Sequence, residues 1–121
     1  MSDRSVRARI GDMLEAIATV DDLIGGLEFD TYASLALRGQ RRGVERCIEI
    51  VSEASRHIPD ALKTAHPQIP WRHVRDIGNV LRHGYSSVDD LMVWRIATIS
   101  LPELRSVLQG ITASLPPDAD A

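Results

Sequence analysis

The sequence predicts an all-α fold, a four- to five-helix up-and-down bundle, and three observations carry that prediction. Apolar residues recur in steps of three and four over most of the chain, the spacing that puts them on one buried helical stripe. No stretch of useful length alternates apolar with polar side chains, as a half-buried strand would. Glycines and prolines fall between the periodic stretches, where the chain must reverse. The 121 residues suit one domain with one core, and a hydrophobic share of 44% is enough to fill it.

The first helix is expected from about 5 to 24, with Ile10, Met13, Leu14, Ile17, Val20 and Ile24 on its stripe, and Gly25-Gly26 ends it. Asp30 is the expected N-cap of a short helical segment through Leu37. The next helix spans about 41 to 58, burying Val44, Cys47, Ile48, Val51, Ala54 and Ile58. Pro59-Asp60 interrupts it, and a short turn of helix through Leu62 follows. Pro67 and Pro70 bracket an extended connection, with Pro70 placed for the first turn of a helix over about 70 to 83. That helix should turn Trp71, Val74, Ile77, Val80 and Leu81 inward. Residues 84–87 read as a tight turn, and a last helix starts near Val88 and runs through Leu91, Trp94, Ile96, Ile99, Leu104, Val107 and Leu108, kinked or split by Pro102. The domain is placed at 1–111 and a disordered tail, rich in proline and acid, at 112–121.

Composition narrows the function. No run approaches the roughly 18 to 20 apolar residues of a membrane span. The N-terminus leads into an amphipathic pattern rather than an apolar signal core, so the expected location is the cytoplasm, with no membrane partner. The single cysteine, Cys47, cannot form an internal disulfide and sits at a core position, which suits a buried hydrophobe in a reducing compartment. A net charge of −3 is not the footprint of a protein that coats nucleic acid. It leaves room for a local contact: nine of the fourteen Lys and Arg residues lie between Arg38 and Arg82, while Asp12, Glu15, Asp21, Asp22, Glu28 and Asp30 make the first quarter acidic.

One segment carries chemistry: Pro70-Trp71-Arg72-His73-Val74-Arg75-Asp76-Ile77-Gly78-Asn79-Val80-Leu81-Arg82-His83-Gly84-Tyr85. Asn79 and His83 are four apart and share a helical face; Tyr85 follows where Gly84 ends the helix. A face with Asn, His, Tyr and several arginines holds the parts for RNA backbone cleavage. A histidine moves a proton between the 2′-hydroxyl and the leaving oxygen, and an arginine stabilises the charged phosphorane. With the 2′-hydroxyl as nucleophile, neither a metal nor another cofactor is called for. The same residues also suit an ordinary solvated helix end, where a histidine favours the helix dipole.

From about Arg9 to Leu108 the sequence resembles the HepT-like proteins, the HEPN toxins of prokaryotic toxin–antitoxin pairs of type VII. Four blocks carry the resemblance. They are the opening helix Arg9-Ile10-Gly11-Asp12-Met13-Leu14-Glu15-Ala16-Ile17; the stretch Val44 to Ala54, similar to a family stretch ending Gly-Glu-Ala but with Ser52 in the glycine's place; Pro67-Gln68-Ile69-Pro70-Trp71 leading into Asn79 to Tyr85; and Val88-Asp89 with Trp94 and Leu101-Pro102-Glu103-Leu104.

The resemblance implies a homodimer in which two copies of His83 line one groove. It implies His83 as the proton-transfer group, an arginine (Arg75 by preference) on the phosphate, and Asn79 orienting either. Arg72, Arg46 and Arg82 are further candidates for phosphate contact. It also implies a minimal nucleotidyltransferase of the MntA kind as antitoxin, with Tyr85 the side chain that receives AMP. A phosphodiester there would add charge and bulk beside the arginines that grip RNA. The family pattern is Arg, four to six residues, His, any residue, Tyr. His83 and Tyr85 match, but Asp76, Ile77 and Gly78 occupy the arginine's places, and Gly78 stands where it most often falls. Three readings therefore stay open: a metal-independent endoribonuclease neutralised by its partner, a catalytically inactive dimer that serves as a binding module for the nucleotidyltransferase, and a general helical scaffold.

Overall fold

A computed structural model describes residues 5–83 and 89–116. Among them there is no strand; the chain is an all-α bundle, as the periodicity predicts. Helix α1 covers Val6–Ile24 and α2 is a short turn, Phe29–Tyr32. A 3-10 turn, Leu35–Leu37, then feeds α3, Arg38–Ser55. After α4, Asp60–Ala65, comes α5, Trp71–His83. Helix α6, Asp90–Arg95, continues through a π turn at Ile96–Ser100 into α7, Leu101–Ser114.

Four long helical passes therefore make the bundle: α1, α3, α5 and the α6–α7 rod. The α1 N-terminus is capped by Ser5, whose Oγ accepts from the Ala8 amide at 3.0 Å. Its stripe, Ile10, Met13, Ala16, Ile17, Val20 and Ile24, is buried. Helices α1 and α7 run antiparallel, because Arg105 near the start of α7 pairs with Asp21 near the end of α1, and Arg7 donates to the Pro116 carbonyl at 3.0 Å at the opposite ends. Helix α3 lies between α1 and α5 and meets both. A Cβ at Gly43 would stand 3.0 Å from Leu23, so α1 and α3 approach closely there. Gly26, at φ +80, makes the left-handed turn after α1 that a side chain would resist.

Several expectations shift. Helix α3 begins at Arg38 and ends at Ser55, although Ile58 beyond its end is still buried. Asp30 is not the cap of α2: Glu28 holds that place and Asp30 lies in the first turn. Helix α4 runs on to Ala65, past Leu62. Pro70 precedes α5 rather than opening it, and its carbonyl accepts the Val74 amide at 3.0 Å. Val80, expected inside, is 39% exposed because the buried face of α5 runs through Trp71, Ile77, Gly78 and Leu81. Helix α7 continues through Thr112 to Ser114, into the segment read as a tail. The turn placed at 84–87, the start near Val88 and residues 117–121 of the tail lie outside the described residues.

Pro102 neither breaks the rod nor splits it in two. Lacking an N–H, it cannot complete the α-helical ladder, and the chain answers with one wide turn just before it, where the Leu101 amide bonds to the Ile96 carbonyl five residues back. The extra residue carries the buried positions to Val93, Ala97, Leu101, Leu104, Leu108 and Ile111, and leaves Ile99, expected inside, 63% exposed.

At the other corner the rings of Phe29, Tyr32 and Trp94 pack at tilted angles, with Tyr32 and Trp94 ring centres 5.0 Å apart, and dock α2 on α6. Burial, with Glu45 and Asp90 nearby, pushes the Tyr32 phenol far above its ordinary range. Cys47 is buried, and that burial raises its thiol, as expected of a core residue rather than a nucleophile. Among the described residues no helix is long and apolar enough to cross a membrane.

Candidate functional site

Helix α5 carries the polar face singled out in the sequence, and its two ends are fixed differently. At its start, Trp71 fills the core and its indole Nε1 donates to the His66 carbonyl at 3.0 Å, tying the proline-bracketed connection to the helix. In its middle, α5 presses against α3 at one point. The buried Ser52 hydroxyl donates to the Arg75 carbonyl at 2.7 Å and accepts from the Gly78 amide at 3.1 Å. Gly78 is itself buried. A Cβ there would stand 2.6 Å from Ser52 Oγ and 3.0 Å from Ser52 Cβ. A side chain at 78 would force Ser52 to shift and disturb its two hydrogen bonds to α5.

Beyond that seam the functional candidates are exposed. Asn79, Arg82 and His83 all face solvent, His83 as the last residue of α5. Arg82 and His83 in the final turn complement the partial negative charge of the helix end. Arg82 Nη2 donates to Asn79 Oδ1 at 2.7 Å, so Asn79 orients this guanidinium.

Arg75 points elsewhere in bonding terms: its Nε meets Asp76 Oδ1 at 2.9 Å. That hydrogen bond holds the Asp76 carboxyl below the usual carboxylate range, with the charges of Arg75, Arg72 and Arg56 adding to the pull. Arg72, exposed near the start of α5, is roughly 16 Å from His83 along the helix axis at 1.5 Å per residue. Arg46 on α3 faces Glu49 at 3.7 Å, and Glu53 pairs with Arg56 at 3.5 Å, so the row on α3 is partly an intrahelical ion-pair ladder. Tyr85 lies outside the described residues.

The fold brings together residues that the sequence keeps apart. Arg9 and Asp12 of α1, Arg46, Glu49 and Glu53 of α3 and Arg82 of α5 line one crevice. Sequence reading had Arg46 and Arg82 as candidates but missed Arg9, whose Nε is buried and has no hydrogen-bond partner among the described residues. Arg9 sits in the acidic first quarter of the chain, and nothing in its local pattern marks it. Among the described residues no group of three or more His, Cys, Asp or Glu side chains is placed to hold a metal ion.

Residues 13–111 match the family model described as ribonuclease HepT-like. The chain belongs to that family. A HepT-like relative from Thermococcus cleftensis, named "Probable ribonuclease HepT", is 31% identical over 108 residues, covering 89% of this chain and 96% of its own. Another, from Methanocaldococcus jannaschii and named "Putative RNase MJ1380", is 28% identical over 109 residues, 90% of this chain and 98% of its own. No solved structure matches. The all-α bundle is the HEPN-like architecture that the sequence resemblance implies.

Ser52 and Gly78, the two positions where the sequence departs from the pattern that the resemblance implies, are in contact. A Cβ at 78 would press on the Ser52 side chain.

Proposed function

We propose that this protein is a metal-independent endoribonuclease, the toxin of a type VII toxin–antitoxin pair. In the reaction the 2′-hydroxyl oxygen of RNA bonds to the adjacent phosphorus and the P–O5′ bond breaks. The 2′ proton passes to a neutral His83 imidazole, and a protonated His83, from the second copy in a homodimer, gives a proton to the departing 5′ oxygen. The products are a 2′,3′-cyclic phosphate and a 5′-hydroxyl. A guanidinium on α5 stabilises the extra negative charge of the phosphorane. The partner in this reading is a minimal nucleotidyltransferase that transfers AMP to Tyr85 and so repels and blocks the RNA phosphate.

One observation carries the reading. In a chain of a ribonuclease family, His83 is exposed at the end of α5, next to an arginine held in place by Asn79. The test is cleavage of bulk RNA in EDTA by the purified protein and by His83→Ala. Cleavage lost on substitution is the expected result, and equal cleavage by both would overturn the assignment. Co-expression with the nucleotidyltransferase should add one adenylyl mass to the chain and leave Tyr85→Phe unmodified.

The second reading, an inactive dimer that binds the nucleotidyltransferase, draws its support from Gly78. An arginine at 78 would have to displace the Ser52 side chain, which its Cβ would approach to 2.6 Å. Absence of RNA cleavage by both proteins, with retained partner binding, would favour it.

A further inference from the structure

We infer that Arg82 supplies the guanidinium that the resemblance would place at position 78, and that Ser52, Gly78 and Asn79 together put it there; the inference rests on the nuclease reading. The atom of Arg82 nearest the empty place is its Nη1, 3.3 Å from where a Cβ on residue 78 would be. Helical side chains lean toward the N-terminus, so a long side chain at 82 naturally lies back over residue 78, one turn earlier. The bare Gly78 backbone leaves that path open. A side chain there would fill it.

Asn79 then fixes the guanidinium through the 2.7 Å bond to its Oδ1. Asn79 is a neutral partner, and among the described residues Arg82 is in no ion pair, whereas Arg75 is tied to Asp76 and Arg46 faces Glu49. A guanidinium has five donors in a rigid fork, and one bond to Asn79 engages one of them. Among the described residues no carboxylate is paired with Arg82, most of its donors remain for a ligand, and it is the residue next to His83 along the helix. Arg75, by contrast, is eight residues from His83, a rise of roughly 12 Å. The crevice that Arg82 lines with Arg9 and Arg46 also holds Asp12, Glu49 and Glu53, so its charge is mixed and Arg82 is the arginine there that belongs to α5.

The ligand class is a single-stranded RNA phosphodiester, gripped by Arg82 at the bond that His83 breaks. The test uses the full chain and a defined RNA oligonucleotide in EDTA. Arg82→Gln should slow cleavage by about 10²- to 10³-fold, the scale of losing one preorganised donor to a transition-state oxyanion. Arg38→Gln, an exposed arginine at the start of α3, serves as the charge control. The decisive variant is Ser52→Gly/Gly78→Arg/Arg82→Gln, which opens the seam and returns an arginine one turn earlier. It should recover about tenfold or more of the lost rate, which a merely structural role for Arg82 would not allow.

Arg82→Gln at the parental rate, or a folded triple variant no faster than Arg82→Gln, overturns the inference. If the parental protein cleaves nothing, the nuclease reading fails separately, and binding decides. Fluorescence anisotropy with a 2′-O-methyl oligonucleotide should then show Arg82→Gln weakening affinity and lowering the salt dependence by about one phosphate contact. Unchanged binding, or no binding by either protein, overturns the inference as well.

Discussion

The two halves of α5 carry the same kinds of residue and put them to different use. From Trp71 to Ile77 the helix is anchored: an indole bonded to the His66 carbonyl, a serine bonded to the Arg75 carbonyl, and an arginine engaged by its own neighbour Asp76. From Gly78 to His83 the arginine lies over a glycine, is held by an amide and stands beside a histidine at the helix end. A guanidinium beside a carboxylate is largely neutralised as an anion receptor; one held by a neutral amide keeps its charge for a ligand. Sequence spacing alone ranks Arg75 ahead of Arg82 because it is nearer the family's expected position. On the proposed reading, their bonding partners reverse that order.

The largest effect should come from the C-terminal half. His83→Ala is expected to lower RNA cleavage in EDTA by about 10²- to 10⁴-fold, the usual worth of positioned proton transfer, with the melting temperature unchanged because the side chain is exposed. Arg75→Gln should cost less activity than Arg82→Gln. Were the order the other way round, the two halves would have to exchange roles.

The seam between the halves should respond next. Gly78→Ala forces a Cβ against Ser52 and should destabilise the fold by about 1–3 kcal/mol, the range for overfilling a packed interior. In a Ser52→Gly background the same substitution should be neutral, or stabilise by up to about 1 kcal/mol through alanine's better helix propensity. Urea denaturation of the four proteins gives the coupling directly. Additive effects would mean that the seam is looser than the 2.6 Å approach requires.

How much of this was legible beforehand follows from the range of each signal. Apolar periodicity is local, so α1, α3, α5 and α7 were readable to within a few residues. Val80 and Ile99 were not, since one lies beside a seam centred on a glycine and the other follows a π turn that shifts the register by one residue. His83, Asn79 and Arg82 were visible as a polar face of one helix. The relation of Ser52 to Gly78 spans 26 residues, and each looked like an isolated departure until α3 and α5 packed together. Arg9 was invisible for the same reason: its crevice is assembled from three helices.

A smaller effect tests the anchored half. Trp71→Phe keeps most of the buried ring but removes the donor to the His66 carbonyl, and should cost about 1 kcal/mol, the typical net value of one hydrogen bond. Cleavage should change far less than with Arg82→Gln. A large loss of activity at unchanged stability would show that the start of α5 reaches the chemistry after all.

The gentlest probe is the titration of Asp76. An aspartate in an unfolded chain has a pKa of about 3.9, and the hydrogen bond from Arg75 holds this one lower in the folded protein. Between the two values the folded state binds fewer protons than the unfolded state. The stabilisation is therefore complete above the unfolded value and is lost as pH falls through the folded one. Near neutral pH the contribution is fully present and does not vary with pH. Followed by NMR, the Asp76 carboxyl should rise toward the ordinary range in Arg75→Gln. In Arg82→Gln it should stay where it is, because residue 82 is six residues, or roughly 9 Å, further along the helix. A carboxyl that ignored Arg75 and answered to Arg82 would mean that the two guanidinia are not divided between the halves of α5, and the preference for Arg82 over Arg75 would fall with that division.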